Sequence, residues 1–219
     1  IIRGFFEPGL ASLFLFTAFR KVGVSITVPV IAASPLVSTT LSILFLKEVL
    51  TLPIILGTIL IIGGVAMLVF GHPHSKINKK YIVIAAIGSA FIGISAVITK
   101  FALNISDTPV AGLAVSFSSA IFLQIIIITL LNKWAHLPRK WENAKLFLLA
   151  GIFSSSGFLF MFLALSKGIV STVFPVISTQ PLFALFLSRI LLKKHETITR
   201  YVVLGTVMIV SGASILAIV

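Results

Sequence analysis

An internal repeat constrains the fold of this chain more than any other feature of its sequence. The stretch 25–46 returns, altered but recognisable, at 171–192. A shift of 146 residues, which becomes 148 after a two-residue insertion, aligns identical residues along three consecutive hydrophobic segments. The aligned pairs include Ser25 and Ser171, Pro29 and Pro175, Pro35 and Pro181, Leu36 and Leu182, Glu48 and Glu196, Gly57 and Gly205, and Gly64 and Gly212. Chance rarely keeps four prolines in one register, so a duplicated structural unit is predicted.

The duplicated unit lies in a chain with the composition of an integral membrane protein. Hydrophobic residues make up 58% of the sequence and charged residues 10%, and the mean hydropathy is +1.21. A helix that spans the bilayer needs about 20 mostly apolar residues. Eight segments meet this length, at about 5–20, 26–46, 52–70, 81–103, 109–131, 145–165, 172–192 and 200–219. The predicted fold class is therefore all-α, a polytopic transmembrane bundle of about eight helices.

The repeat also predicts the direction in which its helices run. The segments 26–46 and 172–192 are separated by an odd number of membrane crossings, so the same motif crosses the bilayer once in each direction. An inverted repeat of this kind can build two nearly equivalent gates, one facing each side of the membrane, around a shared central site.

The basic residues indicate membrane topology rather than a nucleic-acid surface. The net charge is +12, but the lysines and arginines lie almost wholly between the apolar segments. Thirteen of the 17 flank one side of the membrane and four flank the other. The positive-inside rule makes the richer side cytoplasmic and would leave both ends of the chain outside. No nucleic-acid partner is expected, and a lipid bilayer is.

Two prolines predict breaks near the middle of their membrane helices. Pro35 and Pro181 lie about ten residues into their segments, where each removes a backbone hydrogen bond and frees the carbonyl four residues earlier, that of Ile31 or Ile177. In hydrocarbon a freed carbonyl needs a partner or a wet cavity. Polar residues cluster at both breaks: Ser34, Ser38, Thr39 and Thr40 in the first, and Ser178, Thr179 and Gln180 in the second. A packed kink and a substrate site both stay open as interpretations.

Three further polar residues in apolar surroundings are candidates for function. Gln124 needs partners for its amide and is equally compatible with interhelical bonding and with substrate contact. Lys100 can extend to the interface or bind an anionic substrate group. Glu7 is costly in a membrane unless it faces a polar interior, and it is the candidate for a proton-coupled role. The predicted substrate-binding residues are Ser34, Pro35, Lys100, Gln124, Ser178, Thr179, Gln180 and Pro181.

No pattern in the sequence indicates catalysis. A phosphate-binding glycine loop, a Ser/His/Asp arrangement and an HExxH motif are all missing from the sequence. The four histidines lie in loops without paired ligand spacing, and there is no cysteine. We therefore expect no enzyme activity, no cofactor and no metal site.

At these residues the chain resembles the EamA family of the drug/metabolite transporter superfamily. The resemblance rests on the doubled pattern from Ser25 to Gly64, on its second copy from Ser171 to Gly212, and on Lys100 with Pro109. It implies two five-helix repeats. The first repeat would occupy 1–71 without its first two helices, 72–80 would be the loop between repeats, and 81–219 would be the second repeat. It also implies cytoplasmic termini, which opposes the charge count, so the orientation stays open.

The resemblance implies secondary transport of small metabolites, often export of amino acids or related compounds, by alternating access. We expect a multi-pass protein of the cell membrane, driven by a proton or substrate gradient, with the cavity lined by the two proline-broken helices. Two alternatives remain. One is a lipid or lipid-linked sugar flippase, and the other is a membrane scaffold that transports nothing.

Overall fold

The computed structural model describes residues 1–46, 51–70, 78–134, 141–177, 180, 183, 187 and 199–216. These residues form helices, with no strand in the ranges just given. The helices are α1 (Ile2–Val22), α2 (Val24–Ile31), α3 (Ser34–Leu46), α4 (Leu52–Phe70), α5 (Lys79–Ile105), α6 (Pro109–Leu130), α7 (Trp141–Lys167), α8 (Val170–Ile177) and α9 (Arg200–Leu216). The predicted fold class, an all-helical polytopic membrane protein, is confirmed.

Four of these helices are long and apolar enough to cross a membrane: α1, α5, α6 and all but the first turn of α7. Helices α5 and α7 have 27 residues each, more than the predicted segments 81–103 and 145–165. At its start α5 is stabilised by Asn78, whose side chain accepts a hydrogen bond from the backbone N–H of Lys80 at 3.0 Å. This N-cap lets the helix begin in its polar flank, ahead of its apolar run.

Helix α1 passes into α2 through one residue, Gly23. Its backbone has φ 80° and ψ 171°, in the region that favours glycine. The chain can therefore change direction between Val22 and Val24 without a longer loop. This sharp turn packs α2 beside α1 and brings both against α5.

The predicted segment 26–46 is two helices, α2 and α3, separated by a turn at Ala32 and Ala33. Pro35 is the second residue of α3, so its missing N–H falls in a first turn, where donors have no intrahelical acceptor in any case. The carbonyl of Ile31, which Pro35 deprives of a donor, accepts a hydrogen bond from the Ser89 hydroxyl of α5 at 3.2 Å. A neighbouring helix thus provides the hydrogen-bond donor that the Ile31 carbonyl would otherwise lack at the break.

Helix α8 occupies the position in the second copy that α2 occupies in the first. It runs from Val170 to Ile177, and α2 runs from Val24 to Ile31, so both bounds differ by the 146-residue shift. The rest of the predicted segment 172–192, including Ser178, Thr179 and Pro181, lies outside the described residues apart from three single positions.

Helices α4 and α9 pack through their glycines at very short range. A Cβ added to Gly64 would lie 2.7 Å from the carbonyl oxygen of Gly205, and one added to Gly212 would lie 2.6 Å from that of Gly57. Small residues let two membrane helices approach this closely. The two contacts connect an early residue of each helix with a late residue of the other, so the helices are antiparallel. The repeat relates Gly57 to Gly205 and Gly64 to Gly212. Replacing each glycine by its equivalent therefore turns one contact into the other.

Three apolar clusters join the remaining helices. The first connects α5, α6, α7 and α8 around Phe174 and Leu165. The second connects α1, α2 and α5 around Ala18 and Val30. The third connects α3 with the α4–α9 pair around Ile61. Together they surround the end of α2 and the start of α3, which places the broken helix inside the bundle.

We expect the substitution Gly64→Ala to lower the free energy of unfolding by about 1–3 kcal/mol, the usual cost of overpacking, because its methyl group would collide with the backbone of α9. Gly151→Ala is the matched control, since nothing lies within 4 Å of a Cβ added there. Denaturant titration in mixed micelles measures both variants. Equal stability of the two would contradict the close packing of α4 and α9.

We also expect Ser89→Ala to destabilise the protein by about 0.6 kcal/mol, with an upper value of about 1.7 kcal/mol, the range found for interhelical hydrogen bonds in membranes. Its loss leaves the Ile31 carbonyl without the donor from α5. The control is Ser156→Ala, whose exposed hydroxyl bonds only its own helix at the Ile152 carbonyl. Denaturant titration again measures both variants. An unchanged unfolding midpoint of Ser89→Ala would show that the break needs no hydrogen bond from α5.

Candidate functional site

A cavity of about 820 Å³ lies where the broken helix meets α1, α5, α7 and α8. Its described lining residues include Glu7 and Leu15 of α1, Val28 and Ile31 of α2, Ser34 of α3, Ile92 of α5, Phe153, Ser154, Phe158 and Met161 of α7, Phe174 and Ile177 of α8, and Gln180. This volume is within the range of small-molecule sites, about 300–1,000 Å³.

Many of these lining residues are related by the repeat. Five pairs, each separated by the 146-residue shift, lie on the wall of the same cavity. They are Glu7 and Phe153, Leu15 and Met161, Val28 and Phe174, Ile31 and Ile177, and Ser34 and Gln180. Equivalent positions of the two copies therefore contribute to one shared space.

The wall is mostly apolar, with a few polar groups at separate places. Most of the lining consists of four phenylalanine rings and of isoleucine, leucine, valine and methionine side chains. The polar side chains are those of Glu7, Ser34, Ser154 and Gln180. An apolar wall with a small number of placed polar groups is the usual composition of a site that binds a small molecule in a fixed orientation.

Glu7 interrupts α1 and turns a carboxylate into the bundle. Its backbone is extended, with φ −143° and ψ 125°, inside the wide turn Phe5–Leu10. Its Oε2 accepts a hydrogen bond from Arg3 Nη2 at 3.2 Å and one from the Ser95 hydroxyl of α5 at 2.5 Å. The carboxylate therefore has both a cation and a neutral donor, as a charge inside a membrane requires.

Arg3 is buried as deeply as its partner. Its side chain is 4% exposed, and the guanidinium carbon lies 5.0 Å from the ring centre of Phe158 and 4.8 Å from that of Phe162. These are distances at which aromatic faces attract a cation. Nε and Nη1 have no hydrogen-bond acceptor in the part of the chain that the structure describes. The ion pair thus connects α1 with α5 and α7. The N–H groups at Nε and Nη1 of Arg3 can still donate hydrogen bonds.

Of the site residues predicted from sequence, Glu7, Ser34 and Gln180 lie on the cavity wall. Pro35 lies beside the wall, next to Ser34, where it begins α3. Ser178, Thr179 and Pro181 fall outside the described residues.

The other two predicted residues make contacts with the backbone elsewhere. The ammonium of Lys100 donates to the carbonyls of Leu165 and Gly168, at 3.0 and 2.8 Å, and so caps the end of α7. The amide nitrogen of Gln124 donates to the Gly9 carbonyl and the Ser12 hydroxyl of α1, both at 3.0 Å. Each bond joins two helices, and the substrate contacts of both residues stay predictions.

Sequence reasoning missed Arg3 and the aromatic wall of α7. Arg3 was counted with the cations that set topology, because it lies near the end of an apolar segment. The available signal was its spacing of four residues from Glu7, which pairs opposite charges on one helix face. The phenylalanines of α7 gave no signal, since aromatic residues are common on lipid-facing helices.

Comparison with known proteins agrees with this architecture. An uncharacterized protein of Methanocaldococcus jannaschii is 48% identical to the chain over 59 residues, which are 27% of this chain and 43% of that relative. The chain thus spans less than half the length of this relative. A model of the EamA-like transporter family matches residues 1–70 and 79–218. With nearly the whole sequence matched and an all-helical bundle around a central cavity, the chain belongs to the EamA-like transporter family.

Proposed function

We propose that this chain is a secondary-active transporter that exports small metabolites, such as amino acids or related compounds, by alternating access through the cell membrane. The observation that carries the proposal is the paired lining of the cavity. A space walled by equivalent positions of two copies can open by equivalent movements toward either side. A static binding pocket or a scaffold has no need for such matching.

The packing of α4 against α9 supports an inverted arrangement of the two copies. These helices are antiparallel, and their glycine contacts exchange when the copies are exchanged. Two units that cross the membrane in opposite directions provide one gate for each side. The proposed boundaries are those expected from sequence, 1–71 for the first unit and 81–219 for the second.

The substrate contacts that we propose first are Ser34 and Gln180. They are equivalent in the repeat, lie on the wall, and provide a hydroxyl and an amide that can both donate and accept hydrogen bonds. Pro35 and Pro181 would open the helices beside them, and Ser178 and Thr179 would add hydroxyls at the second break.

Coupling to protons is assigned in this proposal to Glu7. Among the described lining residues it is the one with an ionisable side chain. A carboxylate that faces a central cavity can be reached by water, so it can take up and release a proton while substrate enters and leaves the cavity.

Flux into vesicles of known orientation tests the proposal. The protein is reconstituted, and uptake of a labelled panel of amino acids, nucleosides and small amines is followed with and without a proton gradient. We expect gradient-dependent movement of at least one compound. In Gln180→Leu this movement should fall about tenfold or more, because the cavity wall loses a side chain that can both donate and accept a hydrogen bond, while membrane abundance stays near normal.

Thr40→Val is the matched control for Gln180→Leu. Thr40 lies on α3, is exposed, and bonds only the Leu36 carbonyl of its own helix, so we expect unchanged flux. Equal loss of abundance in Gln180→Leu would make Gln180 a folding residue. Absence of flux for the whole panel, in protein shown to be folded, would contradict the proposal. A lipid-flipping assay in the same vesicles would then separate the flippase from the scaffold alternative.

A further inference from the structure

Arg3 has more hydrogen-bond donors than the structure uses. A guanidinium carries five N–H groups in a planar fork that matches a carboxylate. The hydrogen bond described for this side chain runs from Nη2 to Glu7, while Nε and Nη1 are buried without an acceptor in the described residues. Buried donors without acceptors are costly, and they are informative where a ligand can reach them.

The position of the guanidinium brings it within reach of the cavity. Glu7 and Phe158, which both contact it, are lining residues. A carboxylate that took the place of the Glu7 carboxylate would therefore lie at the cavity wall. The rings of Phe158 and Phe162 would continue to hold the cation while that exchange took place.

The charges around the pair allow one anion at a time. The helices that pack against Glu7 are α5 and α6, and Arg3 also contacts α7. From α5 the group that faces Glu7 is the neutral Ser95 hydroxyl, and α6 contains no charged residue. The ammonium of Lys100 is bound to the end of α7, and Lys167 is exposed near Asp107 at 3.7 Å. Within the described residues, the pair thus consists of one cation and one anion.

We propose that Arg3 binds the carboxylate of the transported compound, and that this carboxylate competes with Glu7 for the guanidinium. When substrate enters, Glu7 takes up one proton from water and releases Arg3, which then bonds the substrate. For a compound whose carboxylate is its one charged group, the site gains one negative charge and one proton, so its net charge does not change. This inference rests on the proposed function and names both its substrate class and the stoichiometry of its coupling.

The same geometry limits the substrate to a monocarboxylate with a largely apolar remainder. A dianion would leave one charge without a partner, because the described wall offers no second cation. Beyond the ion pair, the wall consists mainly of aromatic and aliphatic side chains, which favour an apolar group. Ser34 and Gln180 can orient such a compound through one or two hydrogen bonds.

Matched probes test this assignment in the reconstituted full chain. The panel consists of small monocarboxylates without a free amino group, N-acetyl amino acids and phenylacetate among them, each beside its neutral amide, together with phenethylamine. Binding and proton uptake are measured together in weakly buffered solution with a pH indicator. We expect carboxylates to bind with uptake of about one proton each, and the amides to bind weakly and without protons.

Variants separate the roles of the two residues. In Arg3→Gln, carboxylate binding and transport should fall about 10- to 100-fold, as expected for loss of a charge-assisted hydrogen bond, and Arg3→Lys should restore part of them. Glu7→Gln should still bind carboxylates but without proton uptake. Lys167→Gln, which removes an exposed cation, should leave both quantities unchanged.

The double variant Arg3→Gln/Glu7→Gln covers the case in which Arg3→Gln alone does not fold. It carries no unpaired buried charge and should therefore remain folded, yet lose the preference for carboxylates over amides. A preference that survives in this variant overturns the inference, as does carboxylate binding to the unsubstituted protein without proton uptake. Transport of amines or nucleosides but no carboxylate would refute the inference and leave the transporter function standing. Absence of all transport would refute both.

Discussion

The membrane interior offers no water to an unpaired backbone group, and the architecture of this protein follows from that constraint. Helix α2 can end at Ile31 because the Ser89 hydroxyl of α5 bonds the carbonyl that Pro35 leaves without its intrahelical donor. The end of α2 and the start of α3 can therefore lie in the middle of the bundle, where a continuous helix would fill the space. The cavity depends on this local solution, since Ile31 and Ser34, on the two sides of the break, are both lining residues.

The buried ion pair is the second feature whose burial in apolar surroundings costs free energy. Removing a charged pair from water costs more than their attraction returns unless further groups bond them. Ser95 and the rings of Phe158 and Phe162 provide part of that compensation, but two nitrogens of Arg3 remain without acceptors. A chain that only needed stability would be served as well by apolar residues here. The incomplete bonding is the observation from which we infer that the pair binds a ligand.

Much of the fold was predictable because the length of the hydrophobic segments and the repeat can both be recognised from the residue types. Most of the predicted segments fall on one helix each, whereas 26–46 is two helices and most of 172–192 lies outside the described residues. The proline breaks led to Ser34 and Gln180, both of which lie on the wall. What could not be predicted is which polar side chains face inward. Lys100 and Gln124, which were predicted as site residues, bond groups of neighbouring helices, and their substrate contacts stay predictions. Arg3 looks like an interfacial cation, but it is buried because its segment packs against α5 and α6 and because two rings of α7 cover the guanidinium. Orientation about a helix axis depends on tertiary packing, which residue type alone does not encode.

The contact between α4 and α9 has a mechanical consequence. Four glycines bring two backbones so close that neither helix can slide past the other without a collision. Most of the groups that line the cavity belong to other helices, among them α1, α2, α7 and α8. In the transport cycle that we propose, the lining helices would move while the closely packed α4–α9 pair stays nearly fixed. The four glycines would then lie at the stationary centre of the proposed movement.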